Sequence, residues 1–104
     1  MLEAKYRVEK IVSIMEDKKA SDIKVYNVEG KTAFYDYMVM CTGSSTRNVL
    51  AILDAVKENI DMLKSVEGQK EAEWVLIDAA DILVSIFTKD AREYYDLDGL
   101  YEEL

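Results

Sequence analysis

Tyr35-Asp36-Tyr37-Met38-Val39-Met40-Cys41-Thr42-Gly43-Ser44-Ser45-Thr46-Arg47 carries an apolar stretch without a break into a turn of small residues. The consecutive apolar positions from Tyr37 to Cys41 predict a strand over about residues 33–42 that is buried on both faces and central in its sheet. Gly43 then releases the chain into a helix, with Ser44, Ser45 or Thr46 as its N-cap. A strand that ends in Gly-Ser before a helix can turn backbone N–H groups toward an anion, so the segment also has the outline of a phosphate cradle.

Elements spread outward from this segment. Met1, Ala4, Val8, Ile11, Val12 and Met15 recur at helical spacing among charged residues, and that amphipathic helix ends near residues 16–19. Residues 23–28 read as a β-branched strand, and Glu29-Gly30-Lys31 as a turn with positive φ at Gly30, giving a hairpin into the following strand. After Gly43, Val49, Ile52, Leu53, Val56, Ile60 and Leu63 form the stripe of a second helix, with Gly68 as its stop. Residues 72–78 and 82–88 predict an antiparallel hairpin through residues 78–81. Asp96 then caps a short helix on which Leu97, Leu100, Tyr101 and Leu104 share a face. With no proline and no linker in 104 residues, the expectation is a single compact α/β domain, residues 1–104, with a mixed sheet and helices packed mainly on one face.

Composition narrows the chemistry. The absence of histidine removes serine-histidine and cysteine-histidine catalysis and the commonest nitrogen ligand of zinc. The single cysteine, Cys41, lies inside an apolar strand and reads as a buried structural thiol. Twenty-one acidic against 13 basic residues give a net charge of -8, which disfavours a bare nucleic acid backbone and suits a basic protein partner. No apolar run approaches the roughly 20 residues of a membrane span, and the first residues lack a secretory pattern, so a soluble, cytoplasmic protein is expected.

Three segments carry a family likeness: Asp36-Tyr37-Met38-Val39-Met40-Cys41-Thr42-Gly43-Ser44-Ser45-x-Arg47, then Glu73-Trp74-Val75-Leu76-Ile77-Asp78-x-x-Asp81-Ile82, then Arg92-Glu93-x-Tyr95-x-Leu97-x-x-Leu100. In this order and spacing they resemble the ribosomal silencing factor family, also called Iojap-like, over nearly the whole chain. The resemblance implies a nucleotidyltransferase-like topology without that activity. It also implies binding to the fourteenth protein of the large ribosomal subunit, with the joining of the small subunit blocked when nutrients are scarce. Three positions depart from the family pattern, which has glycine at Ala80, histidine at Ser85 and tryptophan at Tyr101. A left-handed alanine at Ala80 would cost about 1 kcal/mol, so another turn geometry is expected there. The serine at position 85 removes a pH-sensitive contact.

Alternation places Val75 and Ile77 on one face of their strand and Trp74, Leu76 and Asp78 on the other. Ile82, Val84 and Ile86 likewise oppose Leu83, Ser85 and Phe87. With both long helices on the Val75 face, Trp74, Leu76, Leu83 and Phe87 would form an exposed patch. The expected partner-binding set is Trp74, Leu76, Asp78, Asp81, Leu83, Ser85, Phe87, Tyr94, Tyr95 and Leu97, with the carboxylates steering a basic ribosomal protein. Trp74 has a second reading, as core beneath Tyr94, Tyr95 or Leu97, and Asp78 and Asp81 a second reading as turn caps. Arg92 is expected to pair with an acid of the hairpin and hold the tail.

Two other functions compete. A nucleotidyltransferase would hold a triphosphate at Gly43 and Ser44 and magnesium at Glu71 and Glu73, but no third carboxylate or lysine clamp completes the set. The expectation is therefore no catalysis and no cofactor. The alternative partner is a second copy of the chain meeting the same apolar face. Contact with ribosomal RNA is expected to be peripheral at most.

Overall fold

The structure is a computed structural model that describes residues 3–104, so Met1 of the first helical stripe lies outside the described residues. The elements run α1 (Ala4–Asp17), β1 (Ser21–Asn27), β2 (Tyr37–Gly43), α2 (Thr46–Asn59), β3 (Ser65–Glu67), β4 (Trp74–Ala79), β5 (Ile82–Thr88), α3 (Lys89–Tyr95) and α4 (Leu97–Glu102). The strands form one sheet in the order β1-β2-β5-β4-β3. β2 and β5 are parallel and the other neighbours antiparallel, so the sheet is mixed, as expected. The chain crosses between the two parallel strands through α2 and then β3 and β4, the long connection that a parallel pair requires.

Val39 and Cys41 of β2, Val75 and Ile77 of β4, and Val84 and Ile86 of β5 line one face of the sheet. There they meet Val8, Ile11 and Met15 of α1 and Val49, Ile52, Leu53 and Val56 of α2. Both stripes are the ones the sequence spacing picks out. Ser45 is the cap of α2, accepting from the Asn48 N–H at 3.1 Å. Gly43 is needed for close packing, since a Cβ there would stand 2.7 Å from Val49 Cγ2.

Several expectations need correction. α2 stops at Asn59, where Ile60 turns extended with φ -104° and ψ 151°, so Leu63 lies outside the helix and is exposed. Gly68 therefore does not stop α2. It follows β3, a strand absent from the expected order, and takes a φ of +88° where a Cβ would lie 2.1 Å from the Trp74 carbonyl oxygen. The β1–β2 hairpin is present with Gly30 at φ +73°, but β2 starts at Tyr37, leaving residues 31–36 as a loop. The turn between β4 and β5 has no alternative geometry: Ala80 itself is left-handed, with φ +68°. Helices also cover both faces, because the short pair α3 and α4 packs on the side opposite α1 and α2.

Candidate functional site

That opposite side carries Tyr26, Met38, Met40, Thr42, Leu83, Ser85, Phe87, Trp74, Leu76 and Asp78, placed together by the strand register. It is divided into two halves. Under α3 and α4 a second apolar cluster joins Met40, Phe87 and Ala91 with Tyr26, Trp74, Leu97 and Tyr101. Beyond it Leu76, Asp78 and Leu83 remain half-exposed, with Trp74 on the boundary.

The expected exposed patch thus contracts. Phe87 is fully buried and Ser85 is 4% exposed, so neither offers a surface to a partner. They support Trp74 from below. Its ring stacks on Phe87 with centroids 5.3 Å apart, and its Nε1–H donates to Ser85 Oγ at 3.2 Å. The two readings of Trp74 prove compatible, because Tyr95 leans against it at 4.8 Å while part of the indole stays open. Stacking of this kind contributes roughly 0.5–1.5 kcal/mol beyond area burial and fixes the ring's plane. Tyr94 meets Tyr95 edge-on at 5.0 Å and is 82% exposed. Leu97 is half-buried against the second cluster, nearer to core than to surface.

Beside Trp74 lies an open cleft of about 490 Å³, lined by Gly68, Glu71, Glu73, Asp90, Ala91, Tyr94 and Tyr95. Three carboxylates line it and, among the described residues, no cation. Glu71 and Glu73 are exposed, and among the described residues no group of three His, Cys, Asp or Glu side chains is arranged to hold a metal. At the would-be phosphate cradle, the Ser44 N–H donates to Asn48 Oδ1 at 2.9 Å while Asn48 N–H takes Ser45 Oγ. The helix start caps itself through a reciprocal pair, satisfying donors that an anion would need.

The acidic residues at the hairpin turn are engaged. Asp78 accepts from the Ala80 N–H at 3.1 Å, as a turn cap, and from the Tyr35 hydroxyl at 3.3 Å. Burial, and then the Asp78 charge, raise the Tyr35 pKa, which keeps the phenol a donor. Asp81 pairs with Arg7 Nη1 at 2.5 Å, and Arg7 Nη2 donates to the Ala79 carbonyl at 2.6 Å. Arg7 is 5% exposed, although the sequence places it among the solvent-facing charges of α1. No periodicity signals this, because the guanidinium reaches past the helix edge to a turn more than seventy residues away.

Arg92 holds the tail, as expected, but through a different partner. Its Nε and Nη2 donate to the two Asp98 carboxylate oxygens at 2.8 and 3.0 Å, and its Nη1 to the Thr42 hydroxyl and the Asp22 carbonyl. The Tyr26 hydroxyl completes the group, donating to Asp98 Oδ1 at 2.7 Å. The Arg92 hydrogen bond, opposed by burial and reinforced by Tyr26, lowers the Asp98 pKa. Burial also raises that of Tyr26, ahead of the Asp98 bond. Cys41 is buried, as expected, and burial pushes its thiol up to about 12. Among the described residues no helix is long and apolar enough to cross a membrane.

Comparison with known proteins places this geometry. A ribosomal silencing factor RsfS from Bacillus subtilis is 40% identical over 83% of this chain and 76% of its own. One from Haemophilus influenzae is 33% identical over 90% and 96%. A mouse protein named mitochondrial assembly of ribosomal large subunit protein 1 is 27% identical, and the match takes in 46% of its length. A crystal structure of a Chromobacterium violaceum protein superposes with a TM-score of 0.90 at 29% identity, covering 97% of this chain and 88% of that one. The family model described as ribosomal silencing factor during starvation matches residues 2–104, and the chain belongs to that family.

Proposed function

We propose that this chain is a non-enzymatic translational repressor that docks on the large ribosomal subunit through its fourteenth protein and sterically prevents the small subunit from joining. The observation that carries the reading is the half of the sheet face that α3 and α4 leave open, where Trp74, Leu76 and Leu83 lie between acidic groups. Apolar area gives affinity, and a net charge of -8 steers a basic partner. The contact set is accordingly Trp74, Leu76, Leu83, Tyr94 and Tyr95, with Asp78 at the edge. A standard interface of roughly 1,200–2,000 Å² is enough for specific binding. The names of the relatives, which speak of silencing ribosomes and of large-subunit assembly, support the same partner.

Trp74→Ala alone is an imperfect test, because the indole also covers Phe87. Leu76→Asp adds a charge on the open strip without removing core. Both variants should keep the far-ultraviolet circular dichroism of the parent and lose at least about 2 kcal/mol of affinity for purified large subunits, read by co-sedimentation. Pelleting of Leu76→Asp at the parent's affinity contradicts the site. A second copy of the chain would use the same strip, so sedimentation velocity at several concentrations, with and without large subunits, separates self-association from subunit binding.

A further inference from the structure

Phe34 is the most conspicuous side chain that the contact set above does not use. It is 80% exposed, in the loop between β1 and β2. The loop is fastened on both sides of it. Thr32 Oγ1 donates to the Tyr35 carbonyl at 2.9 Å and accepts from the Tyr35 N–H at 3.2 Å, and the Lys31 N–H reaches the Val28 carbonyl at 2.9 Å. On the other side the Asp36 N–H donates to the Asp81 carbonyl at 2.8 Å, and the Tyr35 hydroxyl reaches Asp78. An aromatic ring carried out of the core on a loop tied this way loses little conformational freedom when a partner covers it.

We propose that Phe34 is a second apolar anchor of the partner surface, at the end of the β4–β5 hairpin opposite the Trp74 cleft, and that it inserts into an apolar depression on a basic protein. This rests on the proposed function. Three observations carry it. Tyr35, next in the chain, is bonded to Asp78, which stands opposite Leu83 in the strand register, so the Phe34 loop adjoins the open strip. The loop's end of the molecule is acidic on balance, with Glu3, Glu29, Asp36, Asp78 and Asp81 against Lys5, Lys31 and the buried Arg7, which gives a mixture of aromatic and carboxylate like that around Trp74. Finally, the six residues of β4 span roughly 20 Å, so anchors at its two ends lie within the width of one standard interface.

The test compares the full chain with Phe34→Ala and Phe34→Leu for binding to purified large subunits, alongside thermal melting. The expected result is an unchanged melting temperature, since the ring is outside the core, with affinity at least about tenfold weaker for Phe34→Ala. Phe34→Leu, which keeps apolar bulk, should bind more tightly than Phe34→Ala. If the parent chain pellets with large subunits and Phe34→Ala pellets equally, this inference fails while the proposed function stands. If the parent chain does not pellet at all, both fail.

Discussion

Ala80 sits in the two-residue connection of the β4–β5 hairpin with a left-handed backbone, where its Cβ crowds the neighbouring carbonyl. The fold keeps it there because both flanks are fixed: Ala79 pairs with Ile82, and Asp81 is held by Arg7. Ala80→Gly should therefore raise stability by about 1 kcal/mol, read as a higher denaturation midpoint with an unchanged slope in urea. A lower midpoint would show that the turn carries no strain. The strain was legible in the sequence as a departure from a family glycine, but its outcome was not, because the sequence does not reveal how firmly the flanks are held. Trp74 was legible as a large aromatic on the face away from the long helices. That Phe87 lies wholly beneath it was not, since alternation assigns a face and says nothing of what covers it.

The two short helices form an elbow whose hold on the sheet is polar as much as apolar. α4 buries no residue completely, and Leu100 and Leu104 are exposed, so the Arg92–Asp98–Tyr26 group supplies a large share of its docking. Because the Asp98 pKa is depressed in the folded state, its contribution is present above the ordinary carboxylate pKa of about 3.9 and is lost as pH falls through the lower folded value. Protection of the amides of residues 97–102, taken relative to their intrinsic exchange rate at each pH, should hold down to about pH 4 and fall below it, while Asp98→Asn should be less protected at neutral pH and lose the acid step. An acid step that persists in Asp98→Asn would assign it to another group. Elements with clear apolar periodicity, α1, α2, β4 and β5, could be read from the chain. β3 has one apolar residue, Val66, between Ser65 and Glu67, and α3 buries only Ala91, so neither offered a period to detect.

At the scale of the molecule, a single sheet is covered by the two long helices on one side, except at its β1 edge where Val25 is exposed, and by only the short pair on the other, and that asymmetry underlies the proposed function. The sequence pattern carried the first half: two long stripes and two strands with apolar residues on both faces require more cover than two helices provide. It did not carry the second, because the extent of the elbow depends on Arg92 meeting Asp98 and Tyr26, a meeting between distant parts of the chain. The central claim is that occupancy of the large subunit by this protein excludes the small subunit. Its most direct test mixes purified large subunits with increasing amounts of the protein, then adds small subunits and measures joined particles on a sucrose gradient. The account predicts that joined particles fall in proportion to the large subunits occupied, and that Leu76→Asp abolishes the effect. Undiminished joining with the protein still bound to the large subunit in the joined fraction would contradict it.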